Sequence, residues 1–245
     1  MNDRTHPDRV FAKPKSMIVD FAFDETVARV FPDMIRRSVP GYETIIALTG
    51  LLAEQYAQPN SQCYDLGCSL GAATLAMRSR IQQPDCRIIA VDNAEAMTRR
   101  CQQHVREAGE GIETDVICAD IQDVAIQNAS VVVLNFTLQF IQPAARLGLL
   151  QDIYKGMHPG GVLLLSEKIV FANAAEQQRM EALHVAFKKA NGYSDLEISQ
   201  KRSALENVLI PDTLEQHQER LHSAGFNSVD VWFRCMNFVS LLAIK

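Results

Sequence analysis

Four short apolar runs in this chain end in residues of the types that grip a nucleoside. Tyr64-Asp65-Leu66 leads into Gly67-Cys68-Ser69-Leu70-Gly71, and Ala72 to Met77 then reads as the start of a helix. Gly67 and Gly71 can take backbone angles closed to other residues, and without a Cβ they let a ligand lie against the main chain. The helix start offers unpaired N–H groups to the same ligand. Asp92-Asn93 ends the second run, about 25 positions after Gly67. A carboxylate there can accept hydrogen bonds from both ribose hydroxyls; its plainer use is a helix N-cap. Asp120, ending the third run, can accept from an adenine amino group while Ile121 packs on the ring. Asn135, ending the fourth, either faces the remaining polar part of the ligand or stabilises a turn. Asp65 orients the glycine turn or holds an amino group. The turn also spells Gly-x-Ser-x-Gly, the nucleophile-elbow string. No acid-then-histidine order follows it, which argues against Ser69 as a nucleophile.

The elements that position these residues alternate. Residues 1–20 are polar, then mixed, and begin either disordered or as an arm. Asp24 is a plausible N-cap for a short helix that Pro32 interrupts, and Ser38 to Tyr42 is a turn. Apolar residues recur at helical spacing from Tyr42 to Tyr56. Strands are expected at the run before Leu66, at Arg87–Asn93, Thr114–Asp120, Ala129–Phe136 and Val162–Ser166, with a helix over about 143–157 before a Pro159-Gly160-Gly161 turn. Continuous apolar strands joined by helices mean a parallel sheet covered on both faces. Residues 171–210 read as a long helical insertion split at Asn191 to Ser194. Pro211-Asp212-Thr213 restarts a helix that Gly225 ends. Val229–Arg234 and Phe238–Ile244 pair most simply as an antiparallel hairpin. The expected fold is therefore α/β, a seven-stranded Rossmann-like sheet of the class I methyltransferase type, with an N-terminal helical cap and a helical insertion before strand six. The division is 1–60 arm and cap, 61–170 ligand-binding core, 171–210 insertion over the site, and 211–245 final helix and closing hairpin. In such sheets ligands bind at the carboxyl ends of the strands, where the four polar ends gather. Taken together those ends describe a site of the S-adenosylmethionine type. No Asn/Asp-Pro-Pro-Tyr string follows strand four, which argues against amino methylation of bases.

Composition narrows the classes. The 245 residues are 47% hydrophobic and 22% charged, with a net charge of −5. No basic face for a long nucleic-acid backbone is visible, so direct binding of large RNA is disfavoured. The six cysteines at 63, 68, 86, 101, 118 and 235 show no metal-ligand spacing and read as reduced thiols of a cytosolic protein. No signal peptide or membrane-length apolar run is visible. His217 and His222 are not at metal spacing, no metal is expected, and none of the six histidines is given a role. Gln200 to Asn207 reads as an amphipathic helix. Its Lys201-Arg202 pair is ordinarily solvated surface, although an Arg facing a pocket has the planar fork that suits a carboxylate. Tyr42, after the Pro40-Gly41 turn, can close the site from the cap or sit at its rim with the hydroxyl in water.

The chain resembles the carboxy-S-adenosyl-L-methionine synthases from about Phe21 to Lys245. The resemblance rests on Phe21-Ala22-Phe23-Asp24, Val30 to Met34, Arg36 to Tyr42, Tyr64 to Ser69, Val91-Asp92-Asn93 and Lys201 to Asn207. The glycine turn is common to class I methyltransferases; the segments at 30–42 and 201–207 are more specific. The resemblance implies a ligand site at Tyr42, Gly67, Cys68, Ser69, Asp92, Asn93, Asp120, Ile121, Asn135 and Arg202, with Arg202 holding a carboxylate of the product. It implies a cytoplasmic homodimer in which Arg202 serves either its own or the neighbouring subunit. The implied reaction takes S-adenosyl-L-methionine and prephenate to carboxy-S-adenosyl-L-methionine, phenylpyruvate and water. A sulfonium ylide captures CO2, and neither metal nor protein nucleophile takes part. The product would feed a tRNA carboxymethyltransferase that modifies wobble uridine. Two other readings stay open: a conventional small-molecule methyltransferase, and a non-catalytic nucleoside-binding regulator of a tRNA-modifying enzyme.

Overall fold

The computed structural model describes residues 6–14, 17 and 19–245. The start of the expected arm, residues 1–5, and positions 15, 16 and 18 lie outside the described residues. The described part of the arm is anchored. Asp8 and Phe11 are buried, and the Phe21 N–H donates to the Ala204 carbonyl at 2.9 Å.

Helix α1 spans Glu25–Ser38 and α2 spans Tyr42–Tyr56. Asp24 caps α1, accepting from the Val27 N–H at 2.9 Å. Pro32 does not interrupt α1, contrary to the sequence expectation. A proline removes one backbone hydrogen bond, and the helix is held here by its buried face of Val27, Ala28, Val30 and Met34.

One sheet organises the rest: β1 Gln62–Leu66, β2 Arg87–Asp92, β3 Thr114–Cys118, β4 Ala129–Asn135, β5 Met157–Lys168, β6 Ser228–Cys235 and β7 Phe238–Ile244. Its order is β3-β2-β1-β4-β5-β7-β6. The first five strands are parallel, and β7 runs antiparallel to both β5 and β6. Strand β5 begins before the expected turn. The Pro159-Gly160-Gly161 segment lies within it, with Gly160 at φ +74° and its N–H donating to the Lys245 carbonyl at 2.9 Å.

Helices α3 Ala72–Arg78, α4 Glu95–Glu107 and α5 Pro143–Gly156 join the parallel strands. The sheet is covered on both faces, one core centred on Leu66, Val132, Leu134 and Leu165, the other on Cys63, Val131, Val133 and Leu164. Between β5 and the last helix stand α6 Ala174–Ala190 and α7 Asp195–Leu205, separated at the expected turn. Helix α8 Leu214–Ala224 opens with a capping box at Thr213 and stops at Gly225, φ +118°.

Candidate active site

The sheet order turns the strand ends into a row. Asp120 follows β3, Asp92 ends β2, Asp65 lies in β1, Asn135 ends β4 and Lys168 ends β5. The strand order reverses between β1 and β4, which is where such sheets open a crevice. A cavity of about 680 Å³ lies there, lined also by α1, α2, α6 and α7. That is within the range of small-molecule sites, roughly 300–1,000 Å³. Tyr42, Asp65, Gly67, Cys68, Ser69, Asp92, Asn93, Asp120, Ile121 and Asn135 all line it. Arg202 does not.

The glycine turn is held by its neighbours. The Gly67 and Cys68 N–H groups donate to the Val91 carbonyl at 2.8 and 2.9 Å. Gly67 sits at φ +85°, and a Cβ there would come within 2.1 Å of Thr137 Oγ1. Its missing side chain therefore makes room for Thr137, where the sequence reading reserved the space for a ligand. Among the described residues no histidine is bonded to the Ser69 hydroxyl, which donates to Met97 Sδ at 3.7 Å. Asp92 accepts from the Ser69 N–H and the Ala94 N–H, both at 2.9 Å. It thus ties the turn to the start of α4 and keeps lone pairs for a ligand. Asp120 caps a short helical turn through the Gln122 N–H at 2.9 Å. Asp65 accepts from Thr74 Oγ1 at 2.5 Å, and complete burial pushes its carboxyl up to about 6. Asn135 is the least satisfied polar group of the row. Both polar atoms of its amide are buried without a hydrogen-bond partner among the described residues. A buried, unpaired amide costs stability unless a ligand completes it.

The other end of the cavity is cationic. Lys168, Lys188, Lys201 and His184 line it. Lys201 is buried, donates to Ser38 Oγ at 3.0 Å and stands 4.0 Å from Asp8. Burial depresses its ammonium to about 8. Burial and the nearby Lys201, Lys168 and Arg202 charges bring Lys188 down to about 7, and burial lowers Lys168. His184 Nε2 meets the Ser38 carbonyl at 2.8 Å, and burial lowers its pKa to about 3. Since a carbonyl only accepts, Nε2 carries the hydrogen.

Arg202 stands near the cation end, where its charge acts on Lys168 and Lys188, but does not line the cavity. Its side chain is 65% exposed and pairs with Glu181 at 3.1 Å. The sequence reading passed over Lys168, Lys188 and His184, the last of which it gave no role. His184 and Lys188 stand one helical turn apart on α6 and Lys168 ends β5, with no spacing that marks a site.

A parallel sheet ending in an antiparallel hairpin, with this pocket at its switch point, defines the class I S-adenosyl-L-methionine-dependent methyltransferase fold. A family model described as a methyltransferase domain matches residues 64–161. Among solved structures, human N-acetylserotonin methyltransferase in complex with SAM superposes with a TM-score of 0.59 at 19% identity, over 90% of this chain and 55% of that one. The cyclopropane synthase of Mycobacterium tuberculosis superposes at 0.55 and 17% identity, over 75% of this chain and 62% of that one. These likenesses establish the fold alone. Sequence relatives go further. The carboxy-S-adenosyl-L-methionine synthase of Trichlorobacter lovleyi is 61% identical over 97% of this chain and 98% of its own. That of Vibrio campbellii is 57% identical over the whole of both. The chain belongs to the carboxy-S-adenosyl-L-methionine synthase family, a family of enzymes.

Proposed function

We propose that the protein converts S-adenosyl-L-methionine and prephenate to carboxy-S-adenosyl-L-methionine, phenylpyruvate and water. One observation carries this reading. A single cavity has Asp65, Asp92, Asp120 and an unsatisfied amide at one end and lysines at the other. The first end suits a nucleoside bearing a cationic amino acid, the second a small organic acid.

The chain's own groups have separable tasks. Asp92 accepts from the ribose hydroxyls, Asp120 from the adenine amino group, and Ile121 packs on the ring. Asn135 can donate to the amino-acid carboxylate of the nucleoside and accept from its ammonium, which completes the orphaned amide. Asp65 holds positive charge nearby. Phe21, Phe23, Phe31, Phe136 and Phe140 wall the cavity and keep water out. In the overall balance prephenate loses its ring carboxylate as CO2 and its ring hydroxide, and aromatisation drives both losses. The hydroxide takes the proton that the sulfonium methyl gives up, forming water, and the resulting ylide captures the CO2. No protein nucleophile is required, and proximity supplies the rate.

We place Arg202 in a neighbouring subunit's pocket, as a clamp on the product carboxylate, and take the protein to be a homodimer. Its exposure and its absence from the lining of its own cavity support this. The 171–210 segment acts as the cover of the site. The product would supply a tRNA carboxymethyltransferase at the wobble uridine, in the cytoplasm. The enzyme itself would not grip RNA, in keeping with its net charge of −5. No described helix is long and apolar enough to cross a membrane.

The test is mass spectrometry of the nucleosides after incubation with S-adenosylmethionine and prephenate. The expected product is heavier than S-adenosylmethionine by one CO2, with phenylpyruvate appearing alongside. S-adenosylhomocysteine forming only with another acceptor would mark a conventional methyltransferase. Binding without turnover would mark a regulator.

A further inference from the structure

The cation end of the cavity contains more positive charge than the protein neutralises. Lys168 and Lys188 line the cavity half-buried. Among the described residues neither ammonium group has a hydrogen bond or an ion pair. The charges around Lys188 are of its own sign: Lys168 from β5, and Lys201 and Arg202 from α7. The acid that acts on Lys168 among the described residues, Glu181, is already engaged by Arg202 at 3.1 Å and by Gln177 Nε2 at 2.7 Å. Lys201 differs from both, since Ser38 and Asp8 occupy its ammonium. Half-buried like charges without counter-ions destabilise one another unless an anion joins them.

We infer that Lys168 and Lys188 form the docking site for a carboxylate that the second substrate keeps through the reaction. The inference rests on the synthase reading for the identity of that acid. In prephenate the retained group is the carboxylate of the oxopropanoate arm, which leaves on phenylpyruvate. Position supports the assignment. Lys168 ends β5, the strand next to the Asn135 end of β4, so the site adjoins the amino-acid end of the nucleoside and not its adenine. Energetics select between the two carboxylates. A cation paired with the carboxylate that is lost as CO2 would bind the ground state better than the transition state, because negative charge leaves that group as the bond breaks. Such binding slows the reaction. Pairing the lysines with the other carboxylate anchors the substrate through every step and leaves the ring carboxylate among apolar side chains.

The test compares Lys168→Met, Lys188→Met, the double variant and Lys188→Arg. The expected result is a rise in prephenate KM of roughly 10- to 100-fold for each lysine removed. Lys188→Arg should restore most of it. S-adenosylmethionine affinity, read by calorimetric titration, should stay within about twofold of the parent. An unchanged prephenate KM in the double variant overturns the inference, and so does an equal loss of S-adenosylmethionine affinity, which would mean general damage to the cavity. A second arm titrates phenylpyruvate into protein loaded with S-adenosylmethionine. Wild type should bind it and the double variant should bind it far more weakly; equal binding, or none to wild type, overturns the inference. Failure of wild type to make any carboxylated product would sink the synthase reading alone, and the phenylpyruvate titration would then decide the carboxylate site by itself.

Discussion

Asp92, proposed above to bind ribose, already has a structural task. Its carboxylate ties the Ser69 N–H to the Ala94 N–H at 2.9 Å each, and so fixes the glycine turn against α4. Removing it in Asp92→Ala should weaken S-adenosylmethionine binding roughly 10- to 100-fold, the value of a charge-assisted pair of bonds. A titration that finds unchanged affinity would assign Asp92 to capping alone. The lysines predict a pH effect of definite sign. Lys188, near 7, must be protonated to attract an anion. The kcat/KM for prephenate should therefore be full well below pH 7, about half its maximum near pH 7, and fall further as pH rises. Lys188→Arg should move that limb upward, and a limb that stays in place would exclude Lys188 as its source. The acids that line the cavity were legible because each lies at or beside the end of a short apolar run. The lysines were not. Lys201 and Arg202 are adjacent in sequence and about 100° apart around a helix. The first turns to the cavity and the second to solvent, a distinction that a two-residue string cannot carry.

At the level of elements, strand ends and helix caps declared themselves, while the ties between distant elements did not. Asp24, Thr213 and Gly225 act as the sequence led one to expect. Pro32 was misread because the lost hydrogen bond is local and the packing that outweighs it is tertiary. The closing hairpin was legible from its two apolar runs, yet nothing in the sequence announced the buried pair that joins α5 to the segment before α8. There Arg146, completely buried, meets Asp212 at 2.5 Å and donates to the Ile141 and Ile210 carbonyls at 2.9 and 2.8 Å. Arg220 reaches the same Asp212 carboxylate at 2.8 Å. Asp212→Ala would strand a buried guanidinium. A loss of about 3–5 kcal/mol is expected from urea denaturation. A change under about 1 kcal/mol would show that Arg146 finds its carbonyl partners sufficient.

The proposed role of Arg202 makes its placement a property of the assembly, one that neither its sequence context nor a single folded chain can display. Within one chain it pairs with Glu181 outside the cavity, whereas all the nucleoside-facing candidates already share that cavity. If each pocket borrows the arginine of its neighbour, two crippled proteins should rescue each other. Arg202→Ala keeps a sound pocket but lends no arginine. Asp92→Ala lends its arginine but has a damaged pocket. In dimers formed by unfolding and refolding the two together, the Arg202→Ala pocket receives the intact arginine of its partner and regains activity. Random pairing makes about half the dimers mixed, each with one complete site of two, so about a quarter of wild-type turnover is expected. An arginine acting within its own chain gives no complete site in any pairing, because every subunit then contains one defect of its own. Recovery on mixing, measured as carboxylated nucleoside formed per subunit, therefore separates the shared site from the private one without a structure of the assembly.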